Sequence, residues 1–349
     1  MIKPDQSDTP VRWGVLGASR FALMATIPAA RKAPLVDLRA LASRSAEKAR
    51  QAAASAGVPR AYGSYEELLA DDEIEAIYNP LPNNLHVPWS IKAARAGKHV
   101  LCEKPIGLDA AQAEELAEVQ RQTGKIIAEA FMVRHHPQWD KVVELIRGGR
   151  IGEVRAVQTA FSYNNGDPGN IRNQKDAGGG ALLDIGCYAI NIARLVFASE
   201  PHRVTGICDR DPASGCDRLT SAILDFGSGQ ATFTVGTQHV RYQAVHIFGT
   251  KGHLEVEIPF NAPYDRPCRL LVDDGAATTP DFTIKQTAAE CAQVLAIPPA
   301  NHYALQWQAF SAAIRGGPPV RNDMQSAVAN MRVIDAVFRA AESQRWEPV

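Results

Sequence analysis

The sequence predicts an α/β protein in two parts, a doubly wound parallel sheet followed by an α+β domain with an antiparallel sheet. Three observations carry this expectation. Residues 1–130 alternate short apolar strands with helical stretches over short connections, the pattern of a parallel sheet wrapped by helices. Residues 131–349 read instead as successive hairpins closed by two helices. In addition, the strand at His99–Cys102 ends abruptly in Glu103-Lys104-Pro105, which puts a cation at the carboxyl edge of a sheet, where open α/β sheets bind ligands.

In the first part the strand candidates are Val11–Leu16, Val36–Ala42, Ile74–Tyr78, His99–Cys102 and Ile126–Ala130, each short, apolar and bounded by breakers. Ser64-Tyr65-Glu66-Glu67 and Asp109-Ala110-Ala111-Gln112 are capping boxes that open helices, and Gly124 closes one. In the second part Val154–Tyr163 is one long strand. Leu219–Phe226 and Gln230–Thr237 flank Gly227-Ser228-Gly229, and Tyr242–Phe248 and His253–Ile258 flank Thr250-Lys251-Gly252, so both pairs are hairpins. His302–Ile314 and Asp323–Glu342 are the late helices.

Composition narrows the function. A chain of 349 residues, 46% hydrophobic and 21% charged, is ordinary for a globular protein and long enough for two domains. The net charge of −1, with no basic run, argues against nucleic acid or an anionic membrane surface as partner. Met1–Pro10 is polar, without the apolar core of a secretory signal, and no apolar run approaches the ~20 residues of a spanning helix, so a cytoplasmic location is expected. Cys102, Cys187, Cys208, Cys216, Cys268 and Cys291 lack C-x-x-C spacing and fit reduced thiols. His135 and His136 are adjacent, point apart and have no carboxylate–cysteine set beside them, so no metal site is expected.

The first strand runs into Gly17-Ala18-Ser19-Arg20-Phe21-Ala22, a variant of the G-x-G-x-x-G turn that lets a pyrophosphate approach the backbone at a helix N-terminus. The second glycine is replaced by Ser19 and the third by Ala22. At the end of the second strand an NAD enzyme carries an acid that accepts from the ribose 2′-hydroxyl. Here Ser43, Arg44 and Lys48 stand instead, donors that suit a 2′-phosphate and favour NADP over NAD.

Asp184 and Tyr188 lie four residues apart behind Gly178-Gly179-Gly180, so on one regular helix they share a face. If that face meets Lys104, the ammonium favours the phenolate of a tyrosine, whose ordinary pKa is about 10. Tyr188 can then accept an alcohol proton as hydride leaves the same carbon. An isolated D-x-x-x-Y is ordinarily a core tyrosine and a capping aspartate; the glycines and the Glu-Lys-Pro turn favour the catalytic reading. Phe161, Tyr163 and Asn165 end the long strand either as a sugar-binding wall or as core. His302 and Tyr303 open a helix and either bond substrate hydroxyls or cap and pack. Cys102 and Cys187 are expected to pack as small buried residues.

Four blocks now stand in order: Gly17-Ala18-Ser19-Arg20; Asn79-Pro80-Leu81-Pro82-Asn83-Asn84-Leu85-His86; the run from Ala96 through Cys102 to Glu103-Lys104-Pro105; and the run from Gly178 through Asp184 to Tyr188. On these the chain resembles the Gfo/Idh/MocA oxidoreductases, the family of glucose–fructose oxidoreductase and inositol dehydrogenase, over nearly its whole length. The resemblance implies a Rossmann domain, set at residues 1–130, and an α+β domain with an open, mostly antiparallel sheet, set at 131–349, which carries the substrate and a homodimer interface. It implies Lys104 as the active-site lysine and Asp184 as its supporting carboxylate. Tyr188 replaces the histidine of inositol dehydrogenase-like members and places the chain nearer the glucose–fructose oxidoreductase, xylose dehydrogenase and dihydrodiol dehydrogenase branch, which mostly uses NADP. It further implies that Asn79, Leu81, Asn84 and His86 line the nucleotide cleft, that Glu103 and Arg134 flank the nicotinamide, and that Arg172 approaches the cofactor. Substrate would meet Lys104, Arg134, Phe161, Tyr163, Asp184, Tyr188 and His302. Ser19 departs from the family's middle glycine and would donate to the phosphate, and Asn191 stands where many relatives place an acidic residue or histidine, so histidine-type assignments do not carry over to this chain.

The activity expected from these residues is NADP-dependent oxidation of the C1 hydroxyl of a cyclic aldose to an aldonolactone, with a variant in which tightly held NADP is recycled by reducing a second sugar, as in an aldose–aldose oxidoreductase. The alternatives are a carbonyl reductase or trans-dihydrodiol dehydrogenase using the same residues, and a non-catalytic NADP-sensing regulator.

Overall fold

The computed structural model describes residues 8–275 and 292–349, so Cys291 and most of the polar N-terminal arm lie outside the described residues. Contacts divide the chain into two units, Met1–His135 with Asn301–Met331, and His136–Ala300 with Arg332–Val349.

The first unit is built on six parallel strands: β1 (Val11–Leu16), β2 (Val36–Ala42), β3 (Arg60–Tyr62), β4 (Ala76–Asn79), β5 (His99–Glu103) and β6 (Ile127–Ala130). Their spatial order β3-β2-β1-β4-β5-β6 reverses direction of growth at β1, the doubly wound arrangement expected from the alternating pattern. Between them run α1 (Ile27–Ala30), α2 (Ala46–Ala56), α3 (Tyr65–Leu69), α4 (Asn83–Arg95) and α5 (Ala110–Thr123). The capping signals act as read: Ser64 Oγ accepts the Glu67 N–H at 3.2 Å and Asp109 Oδ1 the Gln112 N–H at 2.8 Å. The three-residue strand β3 is too short to give a hydrophobic period and escapes sequence reading.

The division of the chain departs from the expected boundary between 130 and 131, because residues 301–331 return to the first unit. The reason is aromatic. Helix α8 (His302–Ile314) brings Trp307 and Phe310 to within 4.5 and 5.4 Å, centroid to centroid, of Trp13 on β1, and Trp307 also meets Tyr78 on β4 at 4.8 Å. The Trp13 indole N–H donates to Ser311 Oγ at 3.1 Å. Glu75, just before β4, is shared by Arg12 and Arg315; burial raises its carboxyl but the two guanidiniums win and hold it at about 2.

The second unit contains α6 (Pro137–Arg147), β7 (Val154–Asn164), α7 (Cys187–Phe197), β8 (Arg203–Arg210), β9 (Asp217–Asp225), β10 (Gln230–Gly236), β11 (Gln238–Gly249), β12 (His253–Val256), β13 (Cys268–Asp273) and β14 (Gln293–Ile297). Helix α9 (Met324–Ser343) and the short β15 (Glu347–Pro348) follow. The nine strands form one open sheet, order β14-β13-β12-β11-β7-β10-β9-β8-β15. Both expected hairpins are present, with Gln230 opposite Asp225 and Phe248 opposite His253. The sheet is antiparallel except where β10 runs parallel to β7, so the long central strand is flanked by two different kinds of pairing. One face of β7 is buried through Val157, Thr159 and Phe161, against α7.

The stretch Lys175–Phe197 does reach the length and hydropathy of a spanning helix, but 89% of its most apolar window is buried inside the fold, as a core helix is.

Trp307→Ala removes the central ring of the aromatic cluster. By the large-to-small rule it costs about 3–5 kcal/mol, expected as a lowered midpoint in chemical denaturation with an unchanged slope.

Candidate active site

Because the six strands of the first unit are parallel, the turns that leave β1, β2, β4, β5 and β6 emerge at a single edge. The sequence candidates of the first unit gather there. Gly17 adopts φ +86°, a conformation that calls for glycine, and a Cβ on it would press on Leu81 Cδ2 at 2.9 Å. Ser19, which replaces the second glycine, uses its hydroxyl as a cap, accepting the Ala22 N–H at 3.1 Å. Helix formation after it opens with a widened turn, Ala22–Thr26, before α1. Ala18 is half-buried, whereas Arg20 and Phe21 are exposed, Phe21 standing edge-on to Tyr303. At the end of β2, Ser43 is buried, while Arg44 and Lys48 are exposed. Glu47, the acid nearest them in sequence, is taken up by Arg50 and Gln51 at 2.8 and 2.6 Å.

Three candidates after β4 have their polar atoms engaged within the fold. Asn79 is fully buried and its amide donates to His86 O and Ser90 Oγ, both at 3.0 Å. His86 is buried with Nδ1 2.7 Å from Pro105 O and Nε2 2.7 Å from Leu81 O. Burial lowers its pKa to about 4, and a neutral ring donates to only one of those carbonyls. Leu81 takes part as a buried side chain under Gly17 and as the carbonyl facing His86. These side chains shape the turn behind the edge. Asn84 differs: its Oδ1 is buried without a hydrogen-bond partner.

At the end of β5, Glu103 is buried; it accepts the Tyr78 hydroxyl on Oε1 at 2.7 Å and the Lys104 N–H on Oε2 at 3.3 Å. Burial, then the Glu103 charge, push the Tyr78 and Tyr303 hydroxyls well above the usual phenol range. Tyr78 was invisible as a site residue because it lies inside an apolar strand. Lys104 and Arg134 are half-buried, and His302 is buried, edge-on to Tyr303 at 4.7 Å, which is the packing alternative of the sequence reading.

The edge fits a dinucleotide. Gly17 leaves a cradle that a side chain would fill, Asn84 offers an unused buried acceptor, and Arg44 with Lys48 present cations where a 2′-phosphate would fall. Among the described residues, no three His, Cys, Asp or Glu side chains come together as a metal site.

In the second unit Asp184 is the hub. It is buried, and its Oδ2 accepts the Tyr163 hydroxyl at 2.5 Å and the Arg172 Nε–H at 3.0 Å. Burial, then the carboxylate, drive the Tyr163 hydroxyl far above the usual phenol range; the Asp184 charge raises Arg172 in turn. Arg172, placed by sequence on the cofactor, is therefore paired with Asp184, and Tyr163 is a donor to the same oxygen. Tyr188 is buried beside Phe161 and Phe260, with centroids 6.0 and 5.6 Å away, and those two rings stack at 4.6 Å. Phe260 carried no sequence signal. Asp184 sits in a widened turn, Leu182–Gly186, and Tyr188 in the α-helix that continues it, so the regular four-residue spacing assumed from sequence does not apply.

Residues 11–131 match the oxidoreductase family with the NAD-binding Rossmann fold, and residues 139–255 match the Gfo/Idh/MocA C-terminal domain. The chain belongs to the Gfo/Idh/MocA family of oxidoreductases. It is 46% identical to an uncharacterized oxidoreductase of Rhizobium meliloti, ORF334, over 97% of this chain and 99% of that one. It is 35% identical to a D-xylose 1-dehydrogenase (NADP(+)) of Haloferax volcanii, over 95% of this chain and 97% of that one. Among solved structures it superposes with a TM-score of 0.85 and 31% identity on a 3-ketoreductase from Actinomadura kijaniata in complex with NADP and TDP-benzene, covering 95% of this chain and 98% of that one.

Tyr163→Phe deletes one hydrogen bond to a buried carboxylate. It is expected to lower stability by about 1.5–3 kcal/mol, read by denaturation, with the fold otherwise retained.

Proposed function

We propose that this oxidoreductase is an aldose dehydrogenase that uses NADP and converts the C1 hydroxyl of a cyclic aldose to an aldonolactone. The observation that carries the reading is the Asp184 hub, a buried carboxylate held by a tyrosine and an arginine one turn ahead of a second buried tyrosine, Tyr188. The likeness to a D-xylose 1-dehydrogenase supports the substrate class.

Gly17, Ala18, Ser19, Arg20 and Phe21 would hold the pyrophosphate, Ser43, Arg44 and Lys48 the 2′-phosphate, and Asn84, Glu103 and Arg134 the ribose and nicotinamide. Bound NADP would supply the acceptor for the hydride that leaves C1. Tyr188 would take the C1 hydroxyl proton, Lys104 would orient that hydroxyl, and Asp184, with Tyr163 and Arg172, would support the substrate side. Phe161 and Tyr163 line the sugar side, with Arg172 acting through Asp184. Carbonyl reduction is the same chemistry reversed, with Tyr188 donating the proton, and the likeness to a 3-ketoreductase favours it as the second reading.

A second copy of the chain is proposed to cover the open sheet face, where Ile207 and Tyr242 are 70% and 55% exposed. Ile207→Asp is expected to shift the protein to monomer in light scattering.

The deciding measurement is the absorption spectrum of the purified protein, first alone, then with D-xylose or D-glucose, then with added NADP. A band near ~340 nm, the reduced nicotinamide, that forms on sugar and decays with a second sugar marks retained, recycled NADP. A band only after NADP is supplied marks a dissociating dehydrogenase. Silence with every sugar, while NADPH is consumed with a ketone, moves the protein to the reductase reading; silence throughout with NADP bound is the sensor. Lys104→Met is expected to lower kcat by at least about a hundredfold with NADP affinity kept.

A further inference from the structure

The helix that carries Asp184 and Tyr188 begins against a carboxylate that the proposed reaction does not use. Asp217, at the start of β9, is 2% exposed. Its Oδ2 accepts the Leu182 N–H at 2.7 Å, across 35 residues of sequence, and the Thr220 hydroxyl at 2.6 Å. The chain makes room for it: Gly180 adopts φ +118°, and a Cβ there would overlap Asp217 Oδ1. Among the described residues Asp217 forms no ion pair.

We propose that Asp217 is a positioning residue: a buried carboxylate without a cation partner, holding the first turn of the helix two residues ahead of Asp184, makes the seating of that helix depend on its own charge. The inference rests on the aldose reading for its kinetic arm only.

Burial disfavours the ionised form, the two donors favour it, and burial wins, so the carboxyl is raised to about 6. The charged and titratable groups facing it are Arg210 and Cys208 on β8 and Cys216 in the β8–β9 turn; β10, packed on the same turn, carries none. The sign follows from linkage. A carboxyl raised in the folded state contributes most stability when protonated, so its contribution is full below the unfolded value near ~4 and is lost as pH rises through the folded value. Asp217→Asn keeps the shape and, with its amide oxygen in the place of Oδ2, the acceptor for both the Leu182 N–H and the Thr220 hydroxyl, and abolishes the titration. Thr220→Val removes one donor to the carboxylate and moves the titration upward.

The experiment compares the intact wild type with Asp217→Asn and Thr220→Val between about pH 4 and about pH 8, following melting temperature, amide exchange over residues 178–190 and, with D-xylose and NADP, kcat and KM. The expected result is an Asp217→Asn protein that melts with the wild type at the acid end and several degrees higher at the alkaline end, roughly, with matching extra protection at Leu182. Its kcat relative to wild type changes about threefold or more across the same range while KM for NADP tracks the wild type. Thr220→Val shows its change at higher pH than the wild type. A melting difference independent of pH overturns the proposal, and so does a pH-dependent melting difference with a flat kcat ratio, since that leaves Asp217 merely structural. If the wild type turns over no sugar, the aldose reading fails by itself, and unchanged Leu182 exchange across pH in all three proteins overturns the proposal on its own.

Discussion

A parallel sheet can be wound only by crossovers that return each chain segment to the same starting edge, and that constraint organises the first unit. Every strand must then finish at the opposite edge. The turn after β1, the cationic turn after β2, the Asn79–Leu81 turn and the Glu103-Lys104-Pro105 turn become neighbours although up to 88 residues of sequence separate Gly17 from Pro105. The turns could not stay there without support from below. Trp13 and Tyr78 sit in β1 and β4, at the centre of the sheet, and α8 closes over them with Trp307 and Phe310. The same Tyr78 that packs on Trp307 reaches the Glu103 carboxylate with its hydroxyl. Core packing and placement of the residue preceding Lys104 are thus two ends of one side chain.

The second unit solves a different problem, how to keep polar atoms in place beside an apolar helix. Of the residues on α7 nearly all are buried, so the segment before it must supply the polar partners. Arg172 and Tyr163 supply them for Asp184, the first from the loop that follows β7 and the second from β7 itself. The glycines that precede the helix are spacing devices more than hinges. Gly180 is a glycine because Asp217 occupies the volume of a side chain, and Gly186 because Leu182 does.

Those facts explain what the sequence could reveal. Strand alternation, the two capping boxes, the hairpins and the Gly17 turn depend on near neighbours in the chain, so they are legible, and the family blocks extend them. The Tyr78–Glu103 bond, the Tyr163–Asp184 bond, Phe260 beside Tyr188 and the return of α8 to the first unit pair residues from 21 to 298 positions apart, and nothing local announces them. Asn79, His86 and Arg172 came from the family pattern; the partners they find, Asn79 and His86 within the turn behind the sheet edge and Arg172 on Asp184, are again distant or buried ones that no local signal announces.

Asp184 and Asp217 stand two residues and one hydrogen bond from the same helix start, yet their surroundings differ in kind. Asp184 is met by a guanidinium and a phenol, a partner set that suits a permanent charge. Asp217 is met by an amide N–H and a hydroxyl, donors that favour the anion but carry no opposite charge to offset its burial. The ion-paired carboxylate lies on the Tyr188 side of the helix start, and the one held by neutral donors meets that start at Leu182. Burial of a carboxylate among neutral donors is costly for its charge, and here that cost appears as the upward shift of Asp217.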